Sequence, residues 1–402
     1  MTLPSTKWER IGLFFVKDFR VVGWIYVIIV IGTTALQYFP DPQLFGDMLV
    51  THYNNFIIFK QSFYHLVAAK DLYAFYWDEY YDLFKYSPTF PILFAPLAIL
   101  PDFAGLLLWN TLNAGLLFVA VRMLPVKNNT TKIIVLLFII PELVTAIQNS
   151  QSNALMAALI ILSFNFFEKD KLLLAALCLT LGLFVKLFAI VGASLFLFYP
   201  GKPRFVIYLI CWCTLFLVLP LVVISPEQLG EQYQHWRAIL TVDHNSLTEY
   251  SIMSWLKTWV GISWPKIWIV GVGALIFCMP FLKLKSFGDQ NFRLLFLSSI
   301  LIWVVIFNHN AESPTFVIAM SGVGLWFFSG EKTILNTVLV MLAFIFTSMS
   351  PMGIFPKWFY DQLVDPYVLK GAFCVVVWFK ILSDLMQYRA TSSSGDNHFT
   401  IV

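Results

Sequence analysis

Long apolar runs recur along the whole chain, and they constrain its fold more than any other feature. Runs of membrane-spanning length follow one another from Val21 to Met386, separated by short polar breaks. Of the 402 residues, 59% are hydrophobic and only 12% are charged, whereas a soluble domain has roughly a quarter charged residues. A soluble core cannot enclose that excess, so the sequence predicts an all-α, polytopic integral membrane protein.

The runs predict about 12 transmembrane helices in a single transmembrane domain over 1–402. The segments are 21–39, 103–123, 133–148, 153–167, 171–185, 187–199, 205–224, 266–283, 291–307, 316–329, 333–350 and 368–386. Several are shorter than the roughly 20 residues that a perpendicular span needs. The first run follows a charged stretch, 7–20, and has no small-residue cleavage site. It is interpreted as a retained helix rather than a signal peptide.

The basic residues orient these segments. Most of the 26 lysines and arginines fall in short loops on one side of the predicted bundle, and the positive-inside rule makes that side the cytoplasm. The N-terminal segment 1–20 and the tail 387–402 are expected there, in a multi-pass protein of the inner (plasma) membrane. The net charge of +3 reflects this topology and gives no indication of nucleic-acid binding.

The loops on the opposite side are longer, acidic and aromatic, and the first of them covers 40–102. Apolar residues recur at spacings of three and four from Phe56 to Leu66, which predicts a helix over 53–69 lying in the headgroup plane. The apolar stretch 90–100 would be about 17 Å long as a helix, too short to cross a core of about 30 Å. We therefore expect interfacial helices in this loop and a functional site on the external, periplasmic face.

Two polar groups in the external turns are candidates for substrate binding. The turn 150–153 is Ser-Gln-Ser-Asn, whose amides can bind sugar hydroxyls or cap helix ends. Lys186 interrupts the apolar stretch 172–199. A buried ammonium needs an anionic partner, and the phosphate of a lipid substrate is a natural one. The alternatives are snorkelling to the interface or pairing with Glu142.

Two further polar segments are candidates for chemistry or sugar binding. The turn 308–313 contains His309 and Glu312, and a histidine is a general acid or base near neutral pH; helix capping is the alternative. The loop 232–255 holds Arg237 and other hydrogen-bonding side chains among aromatic rings. That mixture suits a pyranose ring, although surface loops often share it.

The sequence predicts no metal and no cofactor. His309 and Glu312 are three residues apart, but no third ligand accompanies them. No Walker-type or dinucleotide glycine motif occurs, so a soluble nucleotide-sugar donor gains no support. The five cysteines all lie in apolar runs and are interpreted as small apolar side chains.

A series of short motifs runs from about residue 50 to 330. The motifs are Asn55-Phe56…Phe59, Asp71-Leu72-Tyr73, Tyr86-Ser87-Pro88…Pro96…Leu100-Pro101, Leu108-Trp109…Leu112-Asn113, Ser150-Gln151-Ser152-Asn153, Gly182…Lys186 and Asn245-Ser246. In this order they resemble glycosyltransferase family 87, the DUF2029-like group of polyprenyl-phosphate-mannose-dependent mannosyltransferases with the GT-C membrane fold.

The resemblance implies that a hexose such as mannose moves, with inversion, from a polyprenyl-phosphate donor to a lipid or glycan acceptor. In the family, an aspartate at the head of the first external helix is the expected base. This sequence has Asn55 at the matching position, and an asparagine cannot accept the proton. Either Asp47, Asp71 or Glu312 substitutes, or the register differs, or activity has been lost. His309 lies near the place of a family histidine.

The predicted catalytic residues are Asp47, Asn55, Asp71, His309 and Glu312. The predicted substrate-binding residues are Lys60, Tyr86, Gln151, Asn153, Lys186, Arg237, Asn245 and Ser246. Two other functions stay open. A flippase or transporter for lipid-linked glycans should show internal repeats and charges along the spans. A non-catalytic glycolipid-binding or assembly subunit would account for the asparagine at the catalytic position.

Overall fold

Helices make up most of the chain in a computed structural model that describes residues 18–46, 48–243, 250–350 and 353–389. The α-helices are α1 (Phe19–Tyr38), α2 (Asn54–Val67), α3 (Phe90–Ala98), α4 (Asp102–Arg122), α5 (Asn129–Phe138), α6 (Ile140–Gln148), α7 (Asn153–Glu168), α8 (Leu172–Val185), α9 (Lys202–Val218), α10 (Pro226–Asp243), α11 (Ile252–Val260), α12 (Lys266–Cys278), α13 (Gln290–Ile306), α14 (Phe316–Ser329), α15 (Ile334–Ala343), α16 (Lys357–Phe359) and α17 (Leu369–Gln387). Two short strands, β1 (Gln43–Phe45) and β2 (Met48–Val50), form an antiparallel hairpin after α1.

Shorter helical turns connect several of these elements. The 3₁₀ segments are Leu187–Phe198, Leu219–Val222, Met279–Leu282, Leu284–Ser286 and Ser313–Thr315, and the π-helical segments are Phe344–Met349 and Tyr360–Val364. Among the described residues, the predicted all-α class is therefore correct apart from the small hairpin.

Several helices have the length and apolar character of membrane spans. Phe19–Tyr38, Asp102–Arg122 and Lys202–Val222 qualify singly, and α5 and α6 qualify together as a pair bent by 45°. Seven further apolar helices are shorter, at 10–17 residues. Each of the predicted segments coincides with a helix, which supports a membrane protein. Because most of these helices are shorter than a full span, a count of twelve spans is not confirmed.

Local sequence explains where two of the helices begin. The Asp18 side chain accepts a hydrogen bond of 2.8 Å from the backbone N–H of Arg20 and so caps the start of α1. Pro141 lies in the first turn of α6. Because proline has no N–H to donate back to the preceding turn, the helix breaks and bends at this point.

The core of the bundle lies around α7, α13 and α14. Nearly every residue of α7 is buried, and so are most residues of α13 and α14. A helix that is apolar on all sides lies either inside a protein core or in lipid, and the burial of these three places them in the core. These three helices therefore form the centre, whereas α1, α9 and α12 are more exposed; α1 packs mainly against α4 and α6, and α9 mainly against α8.

Polar side chains collect at the two ends of the bundle. At one end, Glu168 accepts two hydrogen bonds from the Arg293 guanidinium, at 2.6 and 3.0 Å, and a third from the Tyr199 hydroxyl at 2.5 Å. At the other end lie the α6–α7 turn, Lys186 and the turn before α14. We call this second end the polar-turn end, defined by residues 148–153, 186 and 308–315.

The helix predicted over 53–69 is α2, and much of its aromatic face packs against protein. Phe56 and Phe59 are buried, and their rings pack edge-on against Phe94 of α3 at 5.7 and 5.6 Å. Phe59 also meets Trp109 of α4 at 5.7 Å. The spacing of Phe56 and Phe59 along α2 therefore reflects packing against α3 and α4.

Gly105 of α4 lies where α2 and α3 come closest. A Cβ atom there would lie 2.7 Å from the Phe56 ring and 2.8 Å from the Leu97 carbonyl oxygen, whereas a Cβ at Gly115 of the same helix has nothing within 4 Å. We expect Gly105→Ala to lower the free energy of unfolding by about 1–3 kcal/mol. Gly115→Ala should be neutral or stabilising by up to about 1 kcal/mol.

Thermal unfolding of the purified protein in detergent measures both substitutions. A lower Tm for Gly105→Ala alone is the expected result, because only that methyl group must displace backbone. Equal shifts for the two variants would contradict the close approach of α2 and α3 to α4.

Candidate functional site

The α6–α7 turn is the hub of the polar-turn end. Its Ser150 has a φ of +51°, an αL conformation that is costly for a residue with a side chain. Ser150, Ser152 and Asn153 are nonetheless buried. A strained, buried turn persists only where its surroundings hold it in place.

Gln37 at the end of α1 supplies much of that support. Its amide nitrogen donates to the Ile147 carbonyl at 3.0 Å, to the Gln148 carbonyl at 2.8 Å and to the Ser150 hydroxyl at 2.8 Å. Its amide oxygen accepts from Asn110 of α4 at 3.0 Å. The last carbonyl groups of α6 thus find their partner in a side chain from another helix.

Three more side chains hold the turn from outside. The Trp109 indole N–H donates to the Ser150 carbonyl at 2.8 Å. The Asn55 amide donates to the Asn149 carbonyl at 2.8 Å. Asn113 accepts from the backbone N–H of Leu155, in the first turn of α7, at 3.0 Å. The turn is fixed by α1, α2 and α4 together.

A chain of hydrogen bonds crosses this turn and joins a carboxylate to an ammonium. The Gln151 amide donates to Glu312 Oε2 at 2.5 Å, and its oxygen accepts from the Asn153 amide at 2.5 Å. The Asn153 oxygen accepts from Lys186 Nζ at 2.7 Å. Glu312 is exposed, Asn153 is buried and Lys186 is half-buried. The predicted residues Gln151, Asn153, Lys186 and Glu312 are therefore brought together.

Lys186 lies between α8 and the 3₁₀ segment that follows it, outside both helices. The protein atoms packed around its ammonium lower the pKa of Lys186 to about 8, while the charge of Glu312 acts in the opposite direction and Lys85 lowers it further. Near neutral pH the group is still a cation, but one with little water around it. Such a cation is suited to binding an anion.

Tyr86 connects the site to the segment 40–102. Its hydroxyl lies 3.2 Å from the Ser152 hydroxyl, and its backbone carbonyl accepts from Tyr73 at 2.8 Å. Burial raises the pKa of Tyr86 above its usual range, Ser152 lowers it, and Glu312 raises it. The phenol therefore remains a hydrogen-bond donor at any physiological pH.

The turn that carries His309 and Glu312 is held by the loop before α11. The backbone N–H of Tyr250 donates to the Ala311 carbonyl at 3.2 Å, and the Tyr250 hydroxyl reaches Asp365 at 3.1 Å. His309 is half-buried in the same turn. Both titratable residues predicted in this turn lie at the polar-turn end.

Other predicted residues take part in different contacts. Lys60 pairs with Asp102 at 2.6 Å and donates to the Leu100 carbonyl at 2.9 Å, which joins α2 to the start of α4. Asp71 accepts from the backbone of Tyr73 and lies 3.0 Å from His235 of α10.

The other predicted site residues are Arg237, Asp47, Asn245 and Ser246. Arg237 is exposed on α10. Asp47, Asn245 and Ser246 lie outside the described residues.

The alternative partner expected for Lys186 is wrong. Glu142 is fully buried and pairs at 3.0 Å with Lys370 of α17, which also donates to the Thr347 carbonyl at 2.8 Å. This pair ties α6 to α17 and leaves Lys186 on the polar network of the turn. No local sequence pattern pairs two residues so far apart in the chain.

The residues that sequence reasoning missed are those that support the turn. Gln37, Asn110 and Asn113 are buried amides inside apolar helices. A buried polar group is costly unless it is hydrogen-bonded, so each amide within a predicted span was a signal of a tertiary contact. The hydrogen-bond partner of each amide could be identified only from the fold.

Replacing Gln37 should loosen the turn. We expect Gln37→Leu to lower the free energy of unfolding by about 1–3 kcal/mol, because it leaves buried carbonyl groups without a donor. Gln234→Leu, on the exposed face of α10, is the matched control and should change stability by no more than about 0.5 kcal/mol. Thermal unfolding in detergent measures both, and identical Tm values for the two variants would contradict the role given to Gln37.

The comparison with family models connects this site to a known group. The model of glycosyltransferase family 87 matches residues 84–330, more than half of the chain. The search of curated proteins found no match to the chain. The matched region includes Tyr86, the α6–α7 turn, Lys186 and Glu312, but it begins after Asn55. The match indicates a glycosyltransferase with a sugar donor and an acceptor as substrates. The chain belongs to glycosyltransferase family 87.

Proposed function

We propose that the protein transfers a hexose such as mannose from a polyprenyl-phosphate donor to a lipid or glycan acceptor at the polar-turn end. The observation that carries this proposal is the hydrogen-bonded chain from the exposed carboxylate of Glu312 to the shielded ammonium of Lys186. A glycosyl transfer needs a base for the acceptor hydroxyl and a cation for the leaving phosphate. The chain places one of each on a single network.

Lys186 binds the donor phosphate in this proposal. Its ammonium donates to the neutral Asn153 oxygen at 2.7 Å, and an ammonium has three protons with which it can also donate to a phosphate oxygen. As the bond to the anomeric carbon breaks, the phosphate takes up the electron pair, and a fixed cation stabilises it most at that moment. A polyprenyl phosphate is already a stable leaving anion, so we propose a transfer that needs no metal.

Glu312 acts as the general base. It is exposed, it belongs to the matched region, and Gln151 holds one of its oxygens. The second oxygen takes the proton of the acceptor hydroxyl, which attacks the anomeric carbon from the face opposite the phosphate and inverts it. His309 lies three residues earlier in the same turn and is the reserve candidate for this proton transfer.

Asn55 has a positioning role instead of a catalytic one. Its amide donates to the Asn149 carbonyl and thereby helps to hold the turn that carries Gln151 and Asn153. An aspartate at this position would face that carbonyl oxygen with a negative charge. The contact therefore agrees with an asparagine and with a base supplied elsewhere.

The distribution of basic residues supports a membrane placement. The opposite end of the bundle carries Arg293, Arg122 and Lys132, together with other basic residues of the predicted cytoplasmic loops. We propose that this basic end faces the cytoplasm, with both termini, and that the polar-turn end faces the periplasm or exterior of the inner (plasma) membrane. A lipid-linked donor would then present its phosphate at the level of Lys186.

Substitution of Lys186 and Glu312 tests the two roles. We expect Lys186→Met to reduce kcat by about 10²–10³-fold, the size found when a charge-stabilising donor is removed. Glu312→Gln should reduce kcat by about 10²–10⁴-fold, while the Kd for the donor changes little. The assay measures release of polyprenyl phosphate from polyprenyl-phosphate-mannose with a membrane glycolipid acceptor.

The controls are an exposed lysine and an exposed glutamate elsewhere. Lys257→Met on α11 and Glu231→Gln on α10 should retain full turnover. If Glu312→Gln is fully active, the carboxylate is not the base. Donor binding without turnover by the unmodified protein would favour a non-catalytic assembly subunit.

The pKa of Lys186 gives a pH dependence with a definite sign. Because that pKa is lowered to about 8, the ammonium is charged below pH 8 and loses its proton above it. Donor affinity should therefore be high at pH 7 and should fall as the pH rises through about 8. Glu312→Gln removes the influence that raises this pKa, so the fall should move to lower pH.

Lys186→Arg is the matched variant for this measurement, since a guanidinium stays charged throughout this range. Its donor affinity should stay constant from pH 7 to 9. An identical fall in the arginine variant would show that another group is responsible. Isothermal titration with a short-chain polyprenyl-phosphate-mannose analogue provides the Kd at each pH.

A further inference from the structure

Four aromatic rings outside the polar network form a continuous band on the first external loop. Phe75 and Trp77 are stacked, with ring centroids 4.7 Å apart and planes at 10°. Trp77 meets Tyr81 at 6.0 Å, and Tyr81 meets Phe45 of β1 at 4.5 Å. We call Phe45, Phe75, Trp77 and Tyr81 the aromatic band.

Three rings of the aromatic band are exposed and Tyr81 is half-buried, although the segment that carries them is well anchored. Phe75, Trp77 and Phe45 are 54%, 52% and 58% exposed. Their neighbours Leu72, Tyr73, Tyr80 and Phe84 are buried and attach the segment to the bundle. Further anchoring comes from α10, where Gln232 bonds to the backbone N–H of Leu72 and to the Lys70 carbonyl, at 3.1 and 3.0 Å. Contiguous exposed rings on a fixed segment indicate a binding surface rather than leftover packing.

Carboxylates border the aromatic band. Asp78 follows Trp77 directly and Asp82 follows Tyr81, and both are exposed. Asp82 also lies 3.6 Å from Lys85. Flat apolar faces beside hydrogen-bond acceptors match a neutral sugar, whose ring presents C–H groups on one face and hydroxyl donors around its rim.

The aromatic band connects to the candidate site through the start of α2. The Asn54 side chain donates to the Tyr81 carbonyl at 2.7 Å and accepts from the Tyr81 N–H at 3.0 Å. The next residue, Asn55, bonds to the Asn149 carbonyl of the turn. One helix end thus fixes both the aromatic band and the turn that carries Gln151 and Asn153.

We propose that the aromatic band is an acceptor subsite, which binds neutral sugar rings of the acceptor glycan by stacking while Asp78 and Asp82 accept hydroxyl hydrogen bonds. This assignment rests on the proposed glycosyl transfer and names the acceptor as a carbohydrate rather than a bare lipid. A membrane surface is the less suitable partner, because exposed aspartates repel anionic lipid headgroups.

Binding of soluble sugars tests the aromatic band independently of any transfer reaction. Saturation-transfer difference NMR on the full-length protein in nanodiscs uses mannose, glucose and galactose di- to tetrasaccharides as probes. At least one series should receive saturation at its C–H protons. In Trp77→Ala and Phe75→Ala the apparent Kd for that series should rise about five- to tenfold. Trp77→Phe, which keeps a ring, should recover much of the loss.

Trp264→Ala is the matched control, because Trp264 is 60% exposed but lies in another loop; it should bind sugars like the wild type. Thermal unfolding confirms that each variant is folded. No saturation transfer to any of the three sugar series would overturn the proposal. Equal affinity in the alanine variants would also overturn it. Alanine variants that bind sugars like the wild type but incorporate poorly into phosphatidylglycerol nanodiscs would assign the surface to the membrane instead.

The transfer assay separates this proposal from the catalytic one. If both are correct, Trp77→Ala raises the KM for a glycan acceptor about five- to tenfold and leaves the donor KM and the kcat unchanged. If the polyprenyl-phosphate donor is wrong but the aromatic band is right, sugar binding still depends on Trp77.

Discussion

The polar-turn end depends on the burial of the α6–α7 turn. A turn in the αL conformation at Ser150 leaves backbone carbonyl groups away from water, and each such group needs a donor. Gln37 and Trp109 provide those donors from two different helices. Because the same turn carries Gln151 and Asn153, the need to satisfy its backbone also determines where these two side chains and their partners Glu312 and Lys186 lie.

Each end of the bundle holds its own network of a carboxylate and a cation. The Glu168–Arg293 pair closes one end with a bidentate contact, and the network from Glu312 to Lys186 occupies the other. Between them, Glu142 and Lys370 neutralise each other in the interior. Removing one partner of such a pair leaves an unpaired buried charge. The pair therefore holds α6 against α17 and helps to fix the α6–α7 turn at the end of α6.

Much of the fold could be predicted from the sequence, because apolar runs of ten or more residues have few other solutions than buried helices. The twelve predicted segments all correspond to helices, and α2 begins within one residue of its predicted start. What periodicity could not decide was the environment of the aromatic face of α2. Packing against protein and contact with lipid produce the same spacing of Phe56, Phe59 and Leu66.

The candidate site was predictable in part. Gln151, Asn153, Lys186 and Glu312 stand out as polar residues in short turns between apolar runs, and the structure joins all four. The network supports a base at Glu312, but only the fold shows that Asn55 holds the turn and that Lys60 pairs with Asp102. These roles depend on contacts between residues far apart in the chain, and no local pattern records them.

A structure of the protein in nanodiscs with a non-hydrolysable polyprenyl-phosphate-mannose analogue tests most directly whether Lys186 binds the donor phosphate. We expect the phosphate within about 3 Å of Lys186 Nζ, the anomeric carbon facing Glu312 and the polyprenyl chain leaving the site between helices into the bilayer. An analogue bound at the Glu168–Arg293 end, or at the polar-turn end with its phosphate away from Lys186, would contradict this expectation.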